Sequence, residues 1–115
     1  MEDSILTSIK KVLGPSEENT AFDLDIIMFI NSVFFTLAQI GVGPSTGFSI
    51  SDKTSVWDDF ISDDHIIDCV KIYIYARVRL KFDPPASAAH IKVLEEEIKE
   101  CESRLNYYAD NGGDS

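Results

Sequence analysis

The groups in this chain that could do chemistry are few. There are two histidines, two cysteines and two pairs of adjacent aspartates. His65 and Cys69 stand one helical turn apart, and His90 and Cys101 follow beyond Pro84-Pro85. Folded back across that turn, the four could in principle surround a zinc ion, which takes imidazole nitrogen and thiolate sulfur tetrahedrally. Zinc motifs normally supply tight local pairs from loops, whereas both cysteines here fall on apolar seams. They read as buried structural thiols, and no metal is expected. Asp58-Asp59 and Asp63-Asp64 suggest a carboxylate dyad, but negative charge at helix N-termini accounts for them without catalysis. Gly41-Val42-Gly43 runs into Pro44 and has no lysine partner, so it does not make a phosphate loop. Neither histidine has a nucleophile near it in sequence. Neither an enzyme nor a cofactor is expected.

The stretch with the strongest character is 66–85, IIDCVKIYIYARVRLKFDPP. Val70, Ile72, Ile74, Ala76, Val78, Leu80 and Phe82 alternate with Lys71, Tyr73, Tyr75, Arg77, Arg79 and Lys81. Read by period alone this is a β-strand, although a long one. Wound at about 100° per residue, the same residues give two basic–aromatic stripes, Lys71/Tyr75/Arg79 and Tyr73/Arg77/Lys81. Between them lie two apolar seams, Ile67/Ile74/Val78 and Ile72/Ala76/Leu80, as in a helix packed on two sides. Ser62, Asp63 and Asp64 would cap its start, Arg77, Arg79 and Lys81 would suit its end, and the prolines would stop it. Pattern leaves strand and helix both open. The stripes resemble a single-strand nucleic-acid platform, but in an acidic chain they serve better as protein contacts, where arginine and tyrosine are enriched.

The elements around this stretch are clearer. Residues 2–13 form an amphipathic helix capped by Asp3 or Ser4 and stopped by Gly14-Pro15. Residues 21–40 are the most hydrophobic segment, with no charge from Ile26 to Val42. A membrane span must be weighed there, but Asn31, Ser32, Thr36 and Gln39 interrupt the run and no basic flank anchors it. A buried core helix is expected, and no membrane. In the loop 41–53, Phe48 and Ile50 alternate with serines, suggesting a short strand or extended arm. Thr54 or Ser55 then caps a brief helix whose Trp57 anchors the core or an interface. Residues 87–108 carry a heptad seam, Ile91, Leu94, Ile98, Cys101, Leu105 and Tyr108, with a charged face opposite that includes an Glu95–Lys99 pair. With 66–82 as a helix the fold class is all-α, a small bundle of about four helices with a short extended arm or strand in the central loop. One domain is expected over 1–108, and a flexible acidic tail over 109–115.

With 115 residues the chain can bury roughly two-thirds of its unfolded surface. Twenty acidic against ten basic residues leave a formal charge of −10, which suits a soluble, self-repelling protein and argues against gripping phosphates. Two cysteines make no disulfide framework, and the acidic start Met1-Glu2-Asp3 is unlike a signal peptide, so synthesis in the cytoplasm with reduced thiols is expected.

Three stretches together, GFSISDKTSVWDDF at 47–60, YIYARVRLKFDPP at 73–85 and the heptad-patterned terminal helix, resemble the small head–tail connector (adaptor) proteins of tailed bacteriophages. The resemblance covers about residues 24–107, and its most specific piece is the aromatic–basic run closed by Phe82-Asp83-Pro84-Pro85. It implies that 66–82 is helical. It also implies a virion neck protein, made in the host cytoplasm, that forms a homo-oligomeric ring, generally of twelve subunits. Such a ring binds the portal protein, offers a docking surface to a stopper or tail-completion protein, and continues a channel through which DNA passes without specific binding. On that reading Lys71, Tyr73, Tyr75, Arg77, Arg79, Lys81, Trp57 and Phe48 are the candidate subunit or portal interface, and Arg77 and Arg79 should meet carboxylates of a neighbour while leaving the monomer fold untouched. Glu95, Glu96, Glu100 and Glu102 are dense enough to be candidate channel-facing acids. The alternative is a small helical regulator that dimerises through the C-terminal heptad seam.

Overall fold

A computed structural model describes residues 4–14 and 20–111. Ser4 opens the first helix, α1 (Ile5–Leu13): its hydroxyl accepts a hydrogen bond from the Thr7 N–H at 3.1 Å. Ile5, Leu6, Ile9 and Leu13 turn inward, and Gly14 at φ +112° ends the helix. Lys10 is also buried, its ammonium 2.8 Å from the Asp23 carboxylate at the start of the second helix. That ion pair joins the two helices.

The second helix, α2 (Asp23–Ile40), carries Asp23 and Asp25 in its first turn and closes on left-handed Gly41. Ile26, Ile30, Val33, Phe34 and Leu37 form its buried face, as the apolar run predicts. By length and composition α2 could cross a membrane, and only a third of it is buried. Its buried face packs on the fourth helix and, less extensively, on the first and fifth.

The connection after α2 departs from expectation. No strand forms among the described residues; the single bridge joins Ser4 to Val56, beside a bond from the Ile5 N–H to the Ser55 carbonyl at 2.8 Å. The loop is held instead by Asn31 of α2. Its amide nitrogen donates to the Ile50 carbonyl at 2.9 Å, and its oxygen accepts from the Ile50 N–H at 2.8 Å. One side chain thus stands in for a strand partner, satisfying both backbone groups of a buried residue. Gly43 is essential to the same loop: at φ +90° a Cβ would lie 2.3 Å from Phe60 Cε1. Gly43→Ala is expected to destabilise the protein by roughly 1–2 kcal/mol through overpacking and left-handed strain. An unchanged denaturation midpoint would show that the loop tolerates the methyl group.

A single helical turn, α3 (Trp57–Phe60), follows. Neither Thr54 nor Ser55 caps it. Thr54 is bound by Asp52, and the Asp59 carboxylate reaches back to the Val56 N–H at 2.9 Å. The alternating stretch is helical, α4 (Ile67–Phe82). Asp63 starts it from outside, its carbonyl accepting from the Ile66 and Ile67 N–H groups, and Asp83 closes it ahead of the prolines. Its strand-like period has a physical origin. α4 packs against α1, α2 and α5, and a helix surrounded on three sides buries residues two apart as readily as four apart. Val70, Tyr73, Ile74, Ala76 and Val78 are all buried. The two expected seams are only partly right, since Ile72 is exposed and Tyr73, placed on a polar stripe, is fully buried.

The last helix, α5 (Ala88–Asp110), is capped by Ser87, whose hydroxyl accepts from the His90 N–H. Leu94, Cys101 and Leu105 of the heptad seam are buried, and α4 and α5 form the most extensive helix pair. The helix runs on to Asp110, so the first two residues of the expected tail are helical; 112–115 lie outside the described residues. The fold is all-α, with four long helices and one helical turn among the described residues.

Candidate functional site

The groups that first suggested chemistry are kept apart. The His65 ring is almost wholly exposed and lies 3.2 Å from Asp63. Cys69 Sγ faces the Cys101 carbonyl at 3.9 Å, and burial, with Cys69 nearby, pushes the Cys101 thiol up to about 12. His90 is exposed at the start of α5. Among the described residues no three such groups converge as metal ligands. Asp59 and Asp63 hold backbone: Asp63 accepts from the His65 N–H at 2.9 Å and from the Tyr108 hydroxyl at 3.1 Å. The His65 N–H is the main cause that lowers the Asp63 carboxyl below its ordinary range.

The eight candidate interface residues divide into three settings. Trp57 and Phe48 belong to the core. Trp57 is buried, with its indole N–H on Ser8 Oγ at 3.1 Å. Phe48 packs on Phe34 and Phe60, ring centres 5.0 and 5.3 Å away.

Tyr73 and Arg77 form a network inside the chain. The Tyr73 hydroxyl donates to Glu102 Oε2 at 2.8 Å and accepts from Arg77 Nη1 at the same distance; Arg77 lies 3.3 Å from that carboxylate oxygen. The guanidinium also sits over the Tyr73 ring, 5.4 Å from its centre. Burial, and then the Glu102 carboxylate, push the Tyr73 phenol up to about 12. Arg77 does meet a carboxylate beside a tyrosine, but the carboxylate is its own chain's. The expectation that this stripe is independent of the monomer fold is therefore corrected.

The remaining residues reach the surface. Arg79 turns back, donating to the Asp83 carbonyl at 2.7 Å and the Tyr75 hydroxyl at 3.1 Å. Lys81 is exposed. Lys71 lies over the Trp57 ring, 5.6 Å from its centre, at the edge of a groove of about 230 Å³ between α1 and α4. Among the described residues Lys71 makes no ion pair.

Of the four acids proposed to face a channel, Glu95, Glu96 and Glu100 are exposed on α5, and Glu100 pairs with Arg104. Glu95 and Lys99, expected to pair, do not. Glu102 is half-buried in the Tyr73–Arg77 network. Sequence reasoning did not single out the outer face of α2, where Leu24, Met28 and Phe35 are 81%, 60% and 66% exposed along one stripe. The signal was the uncharged run from Ile26 to Val42, which holds more apolar residues than one helix face can bury.

A family model described as phage connector protein matches residues 5–112. No curated protein and no solved structure matches the chain. The matched span takes in every helix from α1 to α5, together with the aromatic–basic run and the heptad seam packed against it, and the chain belongs to the phage connector protein family.

Proposed function

We propose that this connector protein acts in the neck of the virion as one subunit of a closed ring, of about twelve copies, seated between the portal vertex and the stopper or tail-completion protein. The ring continues the channel through which DNA leaves the head. The observation that carries this reading is the family match over residues 5–112. The surface agrees with it: exposed apolar side chains on α1, α2 and α4 suit assembly, and a charge of −10 suits a wall past which phosphates slide. Glu95, Glu96 and Glu100 are the exposed acids of α5 available for such a wall. Synthesis in the host cytoplasm, a structural rather than enzymatic role and no specific grip on DNA complete the proposal. The competing dimer through the heptad seam is disfavoured, because α5 already spends that seam on α4.

The test is reconstitution. Purified protein added to portal-bearing heads that lack a neck should co-sediment with them and appear as a ring below the portal in electron micrographs. Heads that remain bare at high protein concentration overturn the reading. A second expected result follows from charge alone. The protein should not retain duplex DNA in a gel-shift assay at physiological salt, and retention at sub-micromolar concentration would contradict a repelling channel.

A further inference from the structure

Two surface features of this molecule are unpartnered and match each other. The first is the groove between α1 and α4, walled by Ile9, Val12, Trp57, Ile72 and Tyr75, with Lys71 at its edge. Val12 and Ile72 are exposed there although both are large and apolar. Lys71 supplies the groove's cationic charge and makes no ion pair among the described residues.

The second feature is the outer face of α2. Leu24, Met28 and Phe35, spaced by one and two turns, form a convex apolar ridge. Scattered exposed apolar residues are ordinary, but three on one stripe of one helix are a patch. Asp25 flanks the ridge, is exposed, and makes no ion pair among the described residues. Among the described residues, the groove offers an ammonium with no ion-pair partner and the ridge a carboxylate with none. No residue of α2 lines the groove, so a chain cannot fill its own groove with its own ridge without refolding.

We propose that the groove takes the α2 ridge of a second copy of this chain, with Leu24, Met28 and Phe35 seated against the α1–α4 walls and Asp25 paired with Lys71. Such a contact is heterologous, because it joins two different surfaces. Each added copy leaves one groove and one ridge open until the assembly closes on itself. The proposal rests on the ring reading and supplies its subunit contact. Charge complementarity selects a second copy as occupant, since an acidic helix edge is what the lone Lys71 requires and α2 presents one.

A charge-swap series tests it, with mass measured by analytical ultracentrifugation and binding to neck-less heads measured in parallel. Lys71→Glu and Asp25→Lys should each weaken self-association about tenfold or more, while circular dichroism stays helical. The double variant Lys71→Glu/Asp25→Lys should recover most of the loss, a rescue that a general surface effect would not give. Phe35→Ser should also lower association, with no rescue by either charge change. If the wild type assembles and both single reversals assemble equally well, this contact is overturned and the ring reading stands. If the wild type neither self-associates nor binds heads, the ring reading falls and the second-copy occupant with it. If heads bind the wild type and Asp25→Lys equally well and protect Ile72 and Lys71 from exchange and labelling in both, the groove belongs to another neck protein and the second-copy occupant is overturned.

Discussion

Trp57→Ala is expected to cost about 3–5 kcal/mol of stability, the usual range for deleting a buried aromatic side chain. Small domains have only about 5–15 kcal/mol to lose, so the variant should be partly unfolded at modest denaturant. The position justifies the upper part of that range. Trp57 is among the largest fully buried side chains of the molecule, with the Ser8 hydroxyl on its indole nitrogen and the Lys71 ammonium over its ring. Removing it frees α1, the α3 turn and α4 from a shared anchor. Trp57→Phe keeps most of the apolar volume and loses the N–H donor, so it should cost far less. Urea denaturation followed by circular dichroism gives both values. Equal midpoints for Trp57→Ala and the wild type would show that the side chain is not a core anchor. Because Trp57 also walls the α1–α4 groove, an assembly defect in the alanine variant counts only alongside its stability.

How legible this molecule was depends on how many neighbours each helix has. α1 and α5 each bury one stripe, and their residues recur at the spacing a single buried face requires. The Ser4 cap was readable for the same local reason. α4 was ambiguous because it has three packing partners, which removes the polar face that marks a surface helix and leaves a period-two pattern. The resemblance to connector proteins, not the periodicity, identified it as helical. The loop around Ile50 forms no strand among the described residues, although its alternation of buried and exposed residues is real. What satisfies its backbone is the side chain of Asn31, far away in sequence and invisible to any local pattern. Tyr73 illustrates the limit for site residues. A tyrosine between lysines and arginines reads as surface, yet its ring is buried and its hydroxyl reaches Glu102 on another helix.

That network separates two substitutions which the sequence treats as equivalent. Arg77→Glu would place a second carboxylate beside Glu102 and remove the donor from the Tyr73 hydroxyl. The pair is only partly buried, with side chains 29% and 38% exposed, so solvent moderates the loss. Leaving Glu102 without its cation and facing a like charge should still cost roughly 2–3 kcal/mol. Arg79→Glu removes one bond to the Asp83 carbonyl and one to Tyr75, and puts negative charge at the C-terminal end of α4. That should cost about 1 kcal/mol. A double-mutant cycle of Arg77→Met and Glu102→Gln should give a coupling of about 1 kcal/mol or more, and the corresponding cycle of Arg79→Met with Glu102→Gln should give none. Identical melting of Arg77→Glu and Arg79→Glu, or no coupling to Glu102, would remove the network from the account of stability. Arg79 is consequently the cleaner probe of an interface at this end of α4. A folded Arg79→Glu that no longer binds portal-bearing heads would place a partner there, and one that binds them normally would exclude it. An Arg77→Glu defect on heads counts only as far as it exceeds the loss of folded protein.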